Sequence, residues 1–141
     1  MLYTPKKTKY KKMYKQRIKN IIVVKINKFF NLNFGTYALK ALHKGEIKPK
    51  QIESTRKVLS RKIKKTGFIW IRIFCNIVRT SKPAEVRMGK GKGSPDFWVS
   101  AIKAGQILFE TSEIDVNIAY SLLKSASKKL PILTKIVKKI K

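Results

Sequence analysis

The sequence predicts a mixed α/β (α+β) domain, and three observations carry that prediction. Segments of period two are rich in Ile, Val, Phe, Trp and Tyr, two segments of helical period have start and stop signals, and a hydrophobic content of 43% is spread over 141 residues. One core of ordinary size fits that length, and two would be cramped. The apolar content, with aromatics at 10%, supplies enough surface to offset the entropy of folding, which excludes a wholly disordered basic tail.

The elements follow in chain order. Phe34-Gly35-Thr36-Tyr37-Ala38-Leu39-Lys40-Ala41-Leu42 has a loose period of two and reads as a strand closed by Lys44-Gly45. Pro49 suits the first turn of a helix and Gly67 the position past its end. The pattern therefore predicts a helix over 49–66 with Ile52, Val58, Leu59 and Ile63 on its apolar side and Lys50, Arg56, Lys57, Arg61, Lys64 and Lys65 around the rest. Phe68-Ile69-Trp70-Ile71-Arg72-Ile73-Phe74 is the clearest strand, with the isoleucines on one face, Phe68, Trp70, Arg72 and Phe74 on the other, and both faces expected to be largely covered. Trp70 is expected in the core or at its rim, and Arg72, amid apolar neighbours, is expected to reach an anion or a carbonyl. The segments 97–102 and 106–110 read as an antiparallel hairpin turning at Ala104-Gly105. Ser112-Glu113-Ile114-Asp115 resembles a capping box opening a second helix over 113–130, with Val116, Ala119, Tyr120, Leu123 and Ala126 as its stripe and Leu130-Pro131 as its stop. A last short strand with a basic end is expected within 132–141.

Charge divides the chain more sharply than hydropathy does. Against 34 Lys+Arg there are 7 Asp+Glu, a formal net charge of +27 that calls for a polyanionic partner, either nucleic acid or an anionic membrane. All seven acids lie beyond residue 45, and residues 1–45 hold twelve Lys or Arg. We therefore divide the chain into a basic RNA-binding arm and extension over 1–33 and one α+β domain over 34–141. In the arm, Lys6, Lys7, Lys9, Tyr10, Lys11, Lys12, Lys15 and Arg17 interleave cations with rings, a pattern that pairs with phosphates and stacks on bases. A solvated tail and an organelle transit peptide are the alternatives, although transit peptides are Arg- and Ser-rich and this segment is Lys/Tyr-rich. The segment supplies little apolar periodicity to a core. For the cationic helix, an RNA-facing surface and a merely solvated face both remain open.

Arg87-Met88-Gly89-Lys90-Gly91-Lys92-Gly93 places a glycine at every second position with cations between, which lets the backbone lie close to a polyphosphate. It lacks the spacing of either phosphate-binding glycine motif, and Pro95 and a strand follow it where a helix would be required. A hairpin tip with incidental charge is the competing reading. Catalytic constellations are thin: His43 is the single histidine and reads as a surface or hydrogen-bonded residue, and Cys75 is the single cysteine and reads as a small half-buried hydrophobe. The inventory predicts no enzyme, no metal site and no cofactor. No run approaches the roughly 18 apolar residues needed to span a bilayer.

A longer set of motifs carries a resemblance. Pro5-Lys6-Lys7-Thr8-Lys9-Tyr10-Lys11-Lys12-Met13, Phe34-Gly35, Gln51-Ile52-Glu53, Ile69-Trp70-Ile71-Arg72-Ile73-Phe74, Lys82-Pro83-Ala84-Glu85-Val86-Arg87-Met88-Gly89-Lys90-Gly91-Lys92-Gly93, Lys103-Ala104-Gly105-Gln106-Ile107-Leu108-Phe109-Glu110 and Lys129-Leu130-Pro131 occur in this order. Together they resemble the large-subunit ribosomal protein L-sixteen family over essentially the whole chain. The resemblance implies an antiparallel, barrel-like sheet with two helices and a non-enzymatic place on the large ribosomal subunit. It implies rRNA, tRNA and neighbouring ribosomal proteins as partners, with the arm entering rRNA. The loop over 87–93 would reach toward the peptidyl-transferase region beside the aminoacyl and peptidyl tRNAs. The apolar, Asn-rich segment 20–33 departs from the family pattern.

The wording of the glycine loop looks like mitochondrial relatives, and the family's usual start coincides with Met1, which leaves no room for a cleavable presequence. Lys outnumbers Arg 28 to 6 and Ile outnumbers Leu 18 to 10, the bias of an A+T-rich coding sequence. The expected location is therefore the mitochondrial matrix, with a plastid or a bacterial cytoplasm as alternatives. The competing function class is a cationic membrane-surface protein, motivated by the charge and the amphipathic helix.

Overall fold

A computed structural model describes residues 3–14, 31–63, 67–112 and 114–139. Among them run β1 (Tyr37–Ala41), β2 (Gly45–Ile47), α1 (Pro49–Ile63), β3 (Ile69–Ile71), β4 (Ile77–Ser81), β5 (Ser94–Ile102), β6 (Ile107–Thr111), α2 (Val116–Ser127) and β7 (Thr134–Lys138). The α+β class holds. The barrel-like sheet is two antiparallel sheets, ordered β3-β6-β1-β7 and β2-β5-β4, with no closed barrel.

The inner strands explain the core. β6 is buried along all five residues and β1 along four of five, as expected of strands with a neighbour on each edge and a covered face on each side. Leu39, Leu108 and Phe109 from these strands meet Ile52, Leu59 and Ile63 of α1 and Leu122 and Leu123 of α2 in one apolar cluster. Pro49 opens α1 as expected. Gln51 adds half of a capping box, its side-chain oxygen accepting the Lys48 N–H at 2.9 Å. Ile52, Leu59 and Ile63 are buried as read. Thr55 joins them, its hydroxyl satisfied by the Gln51 carbonyl at 2.8 Å.

Three expectations fail for identifiable reasons. The segments around Ala104-Gly105 do not form a hairpin: β5 pairs with β2 and β4, and β6 pairs with β1 and β3. The turn is present, with the Gln106 N–H donating to the Lys103 carbonyl at 3.2 Å and Gly105 at φ 85°. But Gly105 N–H donates to the Ala41 carbonyl at 2.7 Å and Ala41 N–H to the Gln106 carbonyl at 2.8 Å, so β1 captures the emerging chain. The hairpin of this fold is β4–β5 instead, and the glycine-lysine segment is its tip.

The second failure is the capping box. Ser112 bonds back to the sheet: its hydroxyl accepts the Phe68 N–H at 2.8 Å and its own N–H donates to the Phe68 carbonyl at 3.0 Å. Helix α2 consequently starts at Val116, with Asp115 as an N-cap that makes no side-chain cap bond. Its buried stripe is Ala119, Leu122, Leu123 and Ala126, while Val116 and Tyr120 of the expected stripe are exposed.

Third, the side of β3 opposite the isoleucines is only partly covered, at Trp70 and Arg72. Ile73 is buried and Ile69 and Ile71 pack against the core, but Phe68 and Phe74 on the other side are 73% and 47% exposed. Cys75 is fully buried, more deeply than the half-burial expected, and burial pushes its thiol up to about 11. His43 is exposed in the turn between β1 and β2.

Candidate nucleic-acid interface

The loop over 82–93 joins β4 to β5, and residues 81–92 are all exposed. Its shape needs left-handed backbone at four places: Glu85 at φ 66°, Gly89 at 97°, Lys90 at 53° and Gly91 at 78°. A Cβ on Gly91 would meet open space, so its requirement is conformational, whereas a Cβ on Gly93 would run into the Ser81 carbonyl across the hairpin base. The Lys82 ammonium donates to the Gly89 carbonyl and folds the tip on itself. Arg87 and Met88 are left projecting, Met88 at 99% exposure.

The arm begins inside the protein and ends on this loop. Tyr3 is buried in the core cluster, against the expectation that the segment adds little to it. Its carbonyl accepts the Cys75 N–H at 3.1 Å and its hydroxyl donates to Glu53 Oε2 at 2.8 Å. Burial, followed by the Glu53 hydrogen bond and charge, pushes the Tyr3 phenol up to about 12. Residues 6–14 are then exposed throughout, so Lys6, Lys7, Lys9, Tyr10, Lys11 and Lys12 all face solvent, with the Lys9 ammonium 5.5 Å from the Tyr10 ring centroid. At the far end two lysine-to-carbonyl hydrogen bonds join the arm to the loop. Lys12 Nζ donates to the Lys92 carbonyl at 3.0 Å, and Lys92 Nζ donates to the Met13 carbonyl. Two segments 80 positions apart in sequence, each singled out for its cations, thus form one surface. Lys15, Arg17, Lys64 and Lys65 lie outside the described residues, as does the atypical segment up to residue 30.

The arginines are placed differently. Arg61 is exposed on α1. Arg56 is held by Glu53, Nε to Oε2 at 3.0 Å and Nη2 to Oε1 at 2.7 Å. The Arg56 hydrogen bond and then that of Tyr3 hold the Glu53 carboxyl down at about 2, and the Glu53 hydrogen bond raises the guanidinium in turn. Arg72, read as reaching an anion or a carbonyl, reaches both: Glu110 and, at 2.6 Å, the Asn31 carbonyl. Its side chain is 9% exposed, which makes it chiefly an internal strut. Glu110 is fully buried and also accepts the N–H groups of Phe34 at 2.8 Å, Gly35 at 2.7 Å and Asn33 at 3.3 Å. Burial alone would raise this carboxyl. The amides and Arg72 outweigh it, and the group lies below the ordinary carboxylate range.

Sequence reasoning missed Arg79, which pairs with Glu46 (Nε to Oε2 at 3.0 Å), and Lys82, whose place beside the loop was the available signal. It also missed the open aromatic side of β3. No group of His, Cys, Asp and Glu among the described residues could hold a metal ion, and no helix among them is long and apolar enough to cross a membrane.

Comparison with known proteins agrees with the motif series. The chain is 46% identical over 136 residues to the large ribosomal subunit protein uL16 of Maricaulis maris (strain MCS10), covering 96% of each. It is 45% identical over 133 residues to the protein of the same name from Paracoccus denitrificans (strain Pd 1222), covering 94% of each. For that of Blochmanniella pennsylvanica (strain BPEN) the figure is 44% over 137 residues, 97% of this chain and 98% of that one. The family described as Ribosomal protein L16p/L10e matches residues 5–137, nearly the full length, and the chain belongs to that family.

Proposed function

We infer that the chain is a structural constituent of the large ribosomal subunit in which the arm and the glycine-lysine loop bind rRNA as one surface. In this reading the loop also helps organise the aminoacyl and peptidyl tRNA corridor near the peptidyl-transferase centre. As a member of a ribosomal-protein family it is a structural component and not an enzyme. Its partners are large-subunit rRNA, tRNA and neighbouring ribosomal proteins. The observation that carries the reading is the pair of hydrogen bonds that ties arm to loop, Lys12 to the Lys92 carbonyl and Lys92 to the Met13 carbonyl. Holding two lysine-bearing segments together is unfavourable in isolation and becomes favourable when phosphates neutralise both. The open backbone around Gly89 and Gly91 leaves room for the close approach that such a partner requires.

The Lys-over-Arg and Ile-over-Leu bias supports an organelle-encoded protein working in the mitochondrial matrix. The bacterial relatives fit a bacterial cytoplasm or a plastid equally well.

Sedimentation after detergent treatment tests the assignment. The protein should travel with large-subunit rRNA, and release into the lipid fraction would favour the membrane-surface class. For the isolated protein, log affinity for rRNA should fall linearly with log salt, with a slope of about 0.7–0.9 per phosphate neutralised. An affinity unchanged between about 50 and 200 mM salt would remove the phosphate model.

A further inference from the structure

β3 lies at an edge of its sheet, and alternate residues of a strand share a face. Phe68 and Trp70 therefore share a side, Trp70 half-buried, and Phe68 and the nearby Phe74 are exposed. Phe34, fixed by the Glu110 bond to its N–H, stacks on Trp70 with ring centroids 6.2 Å apart and planes 21° apart. Phe68 tilts against Trp70 at 6.2 Å and 42°. These rings line a groove of about 740 Å³, within the span of small-molecule clefts, together with Arg72 and with Arg56 and Ser60 of α1. Phe34 and Phe68 are 61% and 73% exposed, an unusual cost for a chain with so much charge to spend on its surface.

The acids of this region are already engaged, Glu53 by Arg56 and Tyr3 and Glu110 by Arg72 and backbone amides. Lys57 and Arg61 are exposed on the same helix as Arg56 and Ser60. The groove thus offers flat apolar faces, with the exposed cations Lys57 and Arg61 on the helix that borders it. A polyanion whose units carry planar apolar faces fits that combination, and unpaired nucleotides have both parts. Duplex RNA presents the phosphates but hides the faces.

We propose that the open aromatic face of β3 is a stacking site for unpaired RNA nucleotides, with the cations of α1 serving their phosphates. The proposal rests on the RNA-binding reading above and adds a ligand class and a site away from the arm and loop.

Trp70 sits in the site and serves as its reporter once Trp98 is replaced by Phe, leaving one indole in the full-length chain. Titration of W98F with a short single-stranded RNA should change Trp70 emission, and the same strand annealed to its complement should change it far less. In that background Phe68→Ala and Phe74→Ala should each weaken single-strand binding by about 5- to 150-fold, the loss of one stacked base, with the salt dependence unaltered. Both positions are exposed, so the thermal transition should stay in place, and Phe68→Tyr should retain binding. Three results would overturn the site: equal responses to single strand and duplex, a response to anionic vesicles alone, or salt-dependent RNA binding with silent Trp70 emission. The last would leave the arm-and-loop reading standing. An absence of RNA binding at any salt would remove both.

Discussion

Around the two sheets the described ion pairs are all arginine to glutamate: Arg56 with Glu53, Arg72 with Glu110 and Arg79 with Glu46. On the arm and loop the cations are mostly lysines, and where they are held, backbone carbonyls hold them. The difference follows from side-chain chemistry. A planar guanidinium engages both carboxylate oxygens at fixed geometry and tolerates a half-dry setting, while an ammonium is a strongly hydrated point charge that is best left in water or given to a phosphate. One region spends charge on shape, and the other keeps it for a partner.

The largest effect should come from breaking the buried pair. Arg72→Ala or Glu110→Ala leaves an uncompensated charge, and Glu110 variants also orphan three backbone amides, so each should cost about 3–5 kcal/mol in denaturant unfolding. Arg72→Lys should recover little of the Arg72 loss. A cost below about 1 kcal/mol would erase the contrast with surface lysines.

Tyr3→Ala sharpens the comparison within the arm itself. It should cost about 3 kcal/mol through the cavity and the lost Glu53 bond, whereas Lys9→Ala should stay within about 0.5 kcal/mol. Removing residues 1–17 should therefore destabilise the fold, and removing only 6–17 should leave cooperative melting intact. Equal melting temperatures for the two truncations would show that Tyr3 is not an anchor.

On the loop the expected stability effects are smaller and the functional ones larger. Gly91→Val forces a β-branched residue into left-handed backbone, about 1–2 kcal/mol that the tip can relieve by moving, and Arg87→Ala should change stability by less than about 0.5 kcal/mol. Ribosomes carrying either variant should bind tRNA less well at the aminoacyl and peptidyl sites or stall late in subunit maturation. Wild-type values for both variants would reduce the loop to an inert hairpin tip.

The smallest effect is a titration. Glu53, held at about 2 against an ordinary 4.5, contributes stability above pH 4.5 that fades as the pH falls toward 2. Tyr3, raised from 10.0 to about 12, contributes stability that is complete below pH 10 and fades as the pH rises toward 12. Tyr3→Phe should abolish the alkaline loss and keep most of the acid one, because Arg56 is the larger cause at Glu53. Disappearance of both in Tyr3→Phe would mean that the hydroxyl, not Arg56, holds the carboxylate.

Local signals made α1 and β1 legible in the sequence, since Pro49, the spacing of Ile52, Leu59 and Ile63, and the alternation around Leu39 act within a few residues. The charge map and the loop were legible for the same reason. Strand partners were not: 97–102 and 106–110 alternate just as a hairpin would, and only the distant Ala41 backbone decides otherwise. β2 is three residues long, and β4 offers two apolar residues in five, too little for a periodic signal. Tyr3 was hidden among the cations that follow it, and no local pattern marks a ring whose partners lie 50 and 72 positions away. The open side of β3 was misread because alternating large apolar residues look the same whether or not a second layer covers them.

Cys75 turns one of these contacts into a clock. The thiolate is the form that reacts with alkylating agents, and a buried thiol at about 11 forms almost none of it at neutral pH. Alkylation must then wait for the surrounding structure to open, so the modification rate counts openings. The residue's N–H is tied to the Tyr3 carbonyl and its sulfur lies 3.6 Å from the Ile47 carbonyl, so the openings it counts are those that part the segment around Cys75 from the root of the arm and from β2. Mass spectrometry of one native atom thus times the opening of this junction, without a dye and without a mutation.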